Sequence, residues 1–193
     1  MSNTTSFMGF KHIGFLPGYA PDYQLQALTV GSGNATAIYR GDPVVFSSGV
    51  IVAATSTSSP VHGIMDGATY VDSSGNTKWS PYCPASQTAT VYILSSPGAI
   101  FLAQALATAI VTSNINSNIS FSVGSGTTIG GGFSGYLLDR ATAGTTNTQP
   151  FRIVGLASTF LPPGANGTDN TSNNNQAVVT FNSQDFHAGV TGV

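Results

Sequence analysis

Thr88-Ala89-Thr90-Val91-Tyr92-Ile93-Leu94, then Ser95-Ser96-Pro97-Gly98, then the apolar run from Ala99 to Val111 form the stretch on which the fold class turns. The first seven residues read as a strong strand, because β-branched and aromatic side chains fit a pleated surface. Ala99 to Val111 is the one serious helix candidate in the chain. It is rich in Ala and Leu, and Ser96-Pro97-Gly98 could start a helix there. Its β-branched end, Ala109-Ile110-Val111-Thr112, fits a strand equally well. The run is read as a strand through Phe101 followed by one or two helical turns. It is too short, and too interrupted by Gln104 and Thr108, to span a membrane.

Outward from this stretch, the chain reads as short strands separated by turns. On the N-terminal side lie Gln24–Val30, Ala37–Tyr39, Val44–Phe46, Val50–Ala54 and Val61–Met65. Tyr70–Asp72 and Lys78–Trp79 flank Ser73-Ser74-Gly75-Asn76 as a hairpin, and the Ser/Thr run Thr55–Ser59 reads as a loop. On the C-terminal side lie Ile119–Val123, Arg152–Ala157 and Ala177–Asn182. Many short strands with turns every ten or so residues predict an all-β fold, a β-barrel or β-sandwich of antiparallel strands with at most one short helix. The segment 162–176, almost wholly Pro, Gly, Asn, Thr and Ser, reads as an exposed loop.

Residues 1–27 differ from the rest. Phe7, Phe10, Phe15, Tyr19 and Tyr23 are spaced by Gly and Pro, with neither alternation nor helical periodicity. This reads as an extended N-terminal arm, with residues 28–193 as a single β-rich domain. Such an arm can lie across a neighbouring subunit, where each aromatic buries a large area, or fold back on its own domain. The first alternative makes these five aromatics the expected contacts with a neighbouring subunit.

Composition narrows the function. Charged residues make up 6% of the 193, with seven Asp, no Glu and five Lys or Arg. Ser, Thr, Asn and Gly cover the surface in their place, which suits a protein docked to others. The net charge of −2 carries no basic patch, so no nucleic-acid partner is expected. Met1-Ser2-Asn3-Thr4-Thr5 shows no charged region followed by an apolar run, so synthesis in a cytoplasm is expected. The single Cys83 allows no intrachain disulfide, and a chain of this length needs none to bury a core.

An enzyme needs acids, bases or a nucleophile held together, and the stock is small. His12, His62 and His187 show no metal-ligand spacing, and Cys83 sits in the rigid Pro81-Tyr82-Cys83-Pro84. Asp42, Asp66 and Asp72 stand beside Gly or Ser, where Asp serves turns. Arg40-Gly41-Asp42 matches the tripeptide of cell adhesion, but reads better as a turn into Pro43 with Asp42 bonding its backbone. Gly124–Gly130 lacks the spacing of a phosphate loop. The reading is no enzyme, no cofactor and no metal.

Several segments, in order, carry a family resemblance. They are Gly41-Asp42-Pro43-Val44, Gly63-Ile64-Met65-Asp66-Gly67, Val91–Gln104 with its Ser-Pro-Gly, Gly135–Asp139, Phe151–Leu156, and a closing strand into Asn182 with His187 nearby. This succession resembles the head decoration (cement) proteins of tailed bacteriophages over roughly residues 38–187. The resemblance implies a β-rich homo-oligomer that contacts the capsid; symmetry points to a trimer on a capsid three-fold, with a dimer or monomer as alternatives. It would sit outside the virion shell, bound to the major capsid protein and made in the bacterial cytoplasm. An alternative is a receptor- or carbohydrate-binding module of a fibre or spike, with Trp79, Tyr82 and Tyr70 stacking on sugar rings.

Overall fold

In the computed structural model, residues 3–55, 60–157, 172–189 and 191–192 are described. Residues 56–59 of the expected Ser/Thr loop and 162–171 of the expected exposed loop lie outside them.

The fold is all-β. Its first seven strands are β1 (Lys11–Phe15), β2 (Gln26–Val30), β3 (Ile38–Tyr39), β4 (Pro43–Ser47), β5 (Val50–Ala53), β6 (Gly63–Val71) and β7 (Thr77–Ser80). Then come β8 (Tyr82–Cys83), β9 (Ala89–Leu94), β10 (Ala99–Gln104), β11 (Asn118–Ser122), β12 (Leu137–Gly144), β13 (Phe151–Leu156) and β14 (Gln176–Phe181). One six-stranded sheet runs β1-β10-β14-β13-β11-β12. A second runs β2-β9-β6-β4-β5, with β7 also on β6, and β3-β8 form a small third sheet. Pairing between the named strands is antiparallel throughout. Among the described residues both large sheets are open and no barrel closes.

The deciding stretch is strand on both sides of Ser96-Pro97-Gly98. Every residue of β10 is buried. Alternation sends Ala99, Phe101 and Ala103 into the main core, and Ile100 and Leu102 into a smaller cluster with Val178 and Ala157. A strand covered on both faces has no polar face to show, so its sequence reads as a continuous apolar run. The expected helical turns after it do not form. Asn175, itself wholly buried, accepts the Ile110 N–H at 2.9 Å and donates to the Ile110 carbonyl at 2.7 Å. Asn174 accepts the Ala107 N–H at 3.0 Å, and Ala107 has φ +56°. Backbone groups that a helix would pair internally are thus taken by two side chains from the far end of the sequence. One 3-10 turn follows at Thr112–Asn114.

The main core is aromatic. Phe10 stacks on Phe151 at 4.4 Å, Phe151 on Phe181 at 5.7 Å, and Phe101 meets Phe181 edge-on at 5.0 Å. Ile64 of β6 and Leu94 of β9 join this cluster, which ties the second sheet to the first.

The presence of Phe10 there corrects the reading of residues 1–27 as an extended arm. The segment folds back: β1 adds an edge strand to the first sheet, and β2 an edge strand to the second. Gly9, at φ +55°, lies so close to Ser134 and the Gly41 carbonyl that a Cβ would fall 2.3 Å from Ser134 Cβ. The Phe10 N–H donates to that same carbonyl at 3.0 Å. Only glycine fits this crossing, and it delivers Phe10 to the core.

Candidate cleft and surface residues

Residues 40–42 form a turn held against β6. The Gly41 N–H donates to the Met65 carbonyl at 2.8 Å, and the Met65 N–H to the Asp42 carbonyl at 3.0 Å. Asp42 is buried, and its Oδ2 accepts the Tyr39 N–H at 2.8 Å. An adhesion receptor needs that carboxylate exposed, so the Arg40-Gly41-Asp42 match is structural. Burial pushes the Asp42 carboxyl up to about 7, opposed by the nearby Ser134 hydroxyl and the Tyr39 N–H.

The same turn sets Arg40 beside Asp66. Opposite β9, Met65 pairs with Ile93 and Gly67 with Tyr92, so Asp66 is the extra residue of a β-bulge. A bulge turns a side chain out of the ladder, and here it turns Asp66 toward Arg40. The guanidinium donates from Nε at 2.9 Å and Nη2 at 2.7 Å, both to Asp66 Oδ1. Among the described residues, Asp66 Oδ2 and Arg40 Nη1 make no hydrogen bond.

This pair lies in a cleft of about 530 Å3 between the folded-back N-terminal segment and the second sheet. Its floor is apolar, from Phe10, Phe101, Ile64 and Leu94, all buried. At its rim stand three aromatics with open faces, Phe7 (55% exposed), Tyr23 (69%) and Phe133 (41%). Lys11 and His12 of β1 complete the lining. His12 links floor to rim, its ring 5.8 Å from Phe101 and 6.0 Å from Tyr23. Its Nε2–H donates to the Gly14 carbonyl at 2.9 Å. Burial lowers its pKa, partly offset by that bond and by Asp66, so the ring is neutral near pH 7.

Phe133 reaches the cleft on a glycine-rich loop. Three successive glycines, Gly130, Gly131 and Gly132, have φ of +79°, +114° and +83°. The loop then bridges Phe133 to Arg40, and the Ser134 N–H donates to the Arg40 carbonyl at 3.2 Å.

The five aromatics expected as contacts divide. Phe10 is core and Phe15 is half-buried against the core, while Phe7, Tyr19 and Tyr23 stay exposed. Tyr19 lies on Gly98, where a Cβ would fall 2.3 Å from its ring. The trio suggested for sugar stacking also divides. Thr69 pairs with Trp79 and Tyr70 with Lys78, so Trp79 and Tyr70 face opposite sides of the sheet. Tyr70 is buried, Tyr82 stacks on Tyr39 at 5.8 Å, and Trp79 lies over Gly67.

His62 is wholly buried, with Nδ1 3.0 Å from Asp185 Oδ2 and Nε2 2.8 Å from Gln26 Oε1. This resembles the base and orienting carboxylate of a triad, but the position a nucleophile would occupy is taken by Gln26. Ser95 reaches only Gln26, at 3.4 Å. Cys83 is buried and its thiol is pushed up to about 11 by burial, which keeps it protonated. Among the described residues, no three His, Cys or Asp side chains converge as metal ligands. No helix among them is long and apolar enough to cross a membrane. Comparison with protein-family models, curated proteins and solved structures found no match to this chain.

Proposed function

We propose that the protein is a non-catalytic structural subunit of a phage virion, docking on the outside of the capsid and stabilising the shell. The observation that carries this reading is the outward display of Phe7, Tyr19 and Tyr23 on a segment fixed by β1, Gly9 and Phe10. Exposed aromatics on a rigid base lose little entropy on binding and make good anchors. Charged residues are 6% of the chain as a whole, so a broad contact with a partner desolvates few ions. Weak contacts of this kind sum over a symmetric shell through multivalency. The partner in this reading is the major capsid protein, and the docked form is a homo-oligomer, with a trimer matching a three-fold site.

The fold dictates the test. Removing residues 2–23 would take away β1 and Phe10 and so damage the core. Replacing Phe7, Tyr19 and Tyr23 together by Ser leaves those elements in place. In co-sedimentation with capsids lacking the protein, the wild type should pellet with the particles and the triple variant should stay in the supernatant. Equal pelleting of a folded triple variant would refute the docking role of these residues.

A further inference from the structure

We infer that the cleft beside Arg40 and Asp66 is a binding site for a neutral saccharide. This goes beyond capsid docking; the two readings share Phe7 and Tyr23, and the test rests on Asp66 and Phe133, which capsid docking does not use.

The first argument is economy of charge. The whole chain has twelve charged side chains, five Lys or Arg and seven Asp, and Lys11, Arg40 and Asp66 all line this one cleft. The Arg40–Asp66 pair is about half exposed, at 52% and 38%. Exposed pairs contribute little to stability, so folding gives little reason to place this one here. The bulge that turns Asp66 out of its ladder is a second device serving the same spot.

The second argument is the pattern of hydrogen-bonding groups. Arg40 uses Nε and Nη2 on one carboxylate oxygen, which leaves Nη1 as a donor on the guanidinium and Oδ2 as an acceptor on the carboxylate. A hydroxyl both donates and accepts, so two neighbouring hydroxyls match a fixed donor–acceptor pair. Arg40 and Asp66 neutralise each other, so the pair offers an uncharged ligand both donors and an acceptor. His12 adds a neutral ring.

The third argument is shape and surface. The volume falls within the roughly 300–1,000 Å3 usual for small-ligand sites, with an apolar floor and few polar groups. The C–H face of a sugar ring is weakly positive and packs on the negative face of an aromatic ring. Phe7, Tyr23 and Phe133 offer such faces at the rim, next to the polar pair. Trp79 is also exposed, but its strand β7 does not line the cleft.

The test is an array of neutral and acidic oligosaccharides probed with the full chain, with hits repeated by isothermal titration. Binding of neutral oligosaccharides is expected, with Asp66→Asn and Phe133→Ala each weakening it at least tenfold. If Phe133→Ala loses its wild-type melting transition, Phe133→Leu replaces it, keeping apolar volume without the ring face. Absence of neutral-glycan binding, a preference for acidic glycans, or binding that survives either substitution would overturn the inference. Capsid co-sedimentation is read separately, so the two readings fail independently.

Discussion

Two aromatic regions lie within a few residues of each other and do opposite things. In the floor and the core beneath it, Phe10, Phe101, Phe151 and Phe181 are buried and packed ring on ring. At the rim, Phe7, Tyr23 and Phe133 stay exposed, beside a charged pair that is itself partly exposed. The chain passes from one region to the other between Phe7 and Phe10, and Gly9 is the point of change. In the proposed reading the same residue type serves stability on one side and recognition on the other, and the two are separable by measurement.

The largest effect belongs to the floor. Phe10→Ala should cost about 3–5 kcal/mol in urea unfolding, because the stack on Phe151 would be left as a cavity. A loss below about 1 kcal/mol would mean that the N-terminal segment is not part of the core.

Next comes the turn that connects the regions. Asp42 has a folded pKa raised from 3.8 to about 7. Between those values the folded protein holds a proton that the unfolded chain has released, so stability falls as pH rises from about 4 to about 7. The change is on the order of a few kcal/mol. Asp42→Asn keeps an oxygen for the Tyr39 N–H and should flatten this part of the curve. Parallel curves for the two proteins would contradict the burial argument.

The smallest effect on stability belongs to the rim. Asp66→Asn should change unfolding free energy by no more than about 1 kcal/mol, as for other exposed ion pairs. A cost of several kcal/mol would make the pair a structural element and weaken the contrast between rim and floor.

Much of the fold was legible in the sequence because strand signals are local. The strands at 89–94, 151–156 and 176–181 show their β-branched and aromatic content directly. Three features were not legible. β1 has a register shift between His12 and Gly14, which breaks alternation. β6 runs through Asp66-Gly67, which reads as a turn; Gly67 is there because the Trp79 indole lies on it, 2.9 Å from where a Cβ would be. β12 at 137–144 is irregular in its pairing with β11 and carries little apolar periodicity beyond Leu137 and Leu138. The helical expectation after β10 failed because Asn174 and Asn175 act from nearly seventy residues away, which no local window contains. The cleft was hidden for the same reason. Phe7, Arg40, Asp66 and Phe133 meet only through a crossing, a turn, a bulge and a loop from four parts of the chain. The aromatic spacing of residues 1–27 was visible, but not which rings face inward.

The measurement that tests the central claim most directly is cryo-electron microscopy of expanded empty tailed-phage capsids mixed with the full chain. The account predicts regular density at symmetry-related sites on the outer surface, with Phe7, Tyr19 and Tyr23 toward the shell. Bare capsids at saturating protein, or density with these three residues facing solvent, would contradict it.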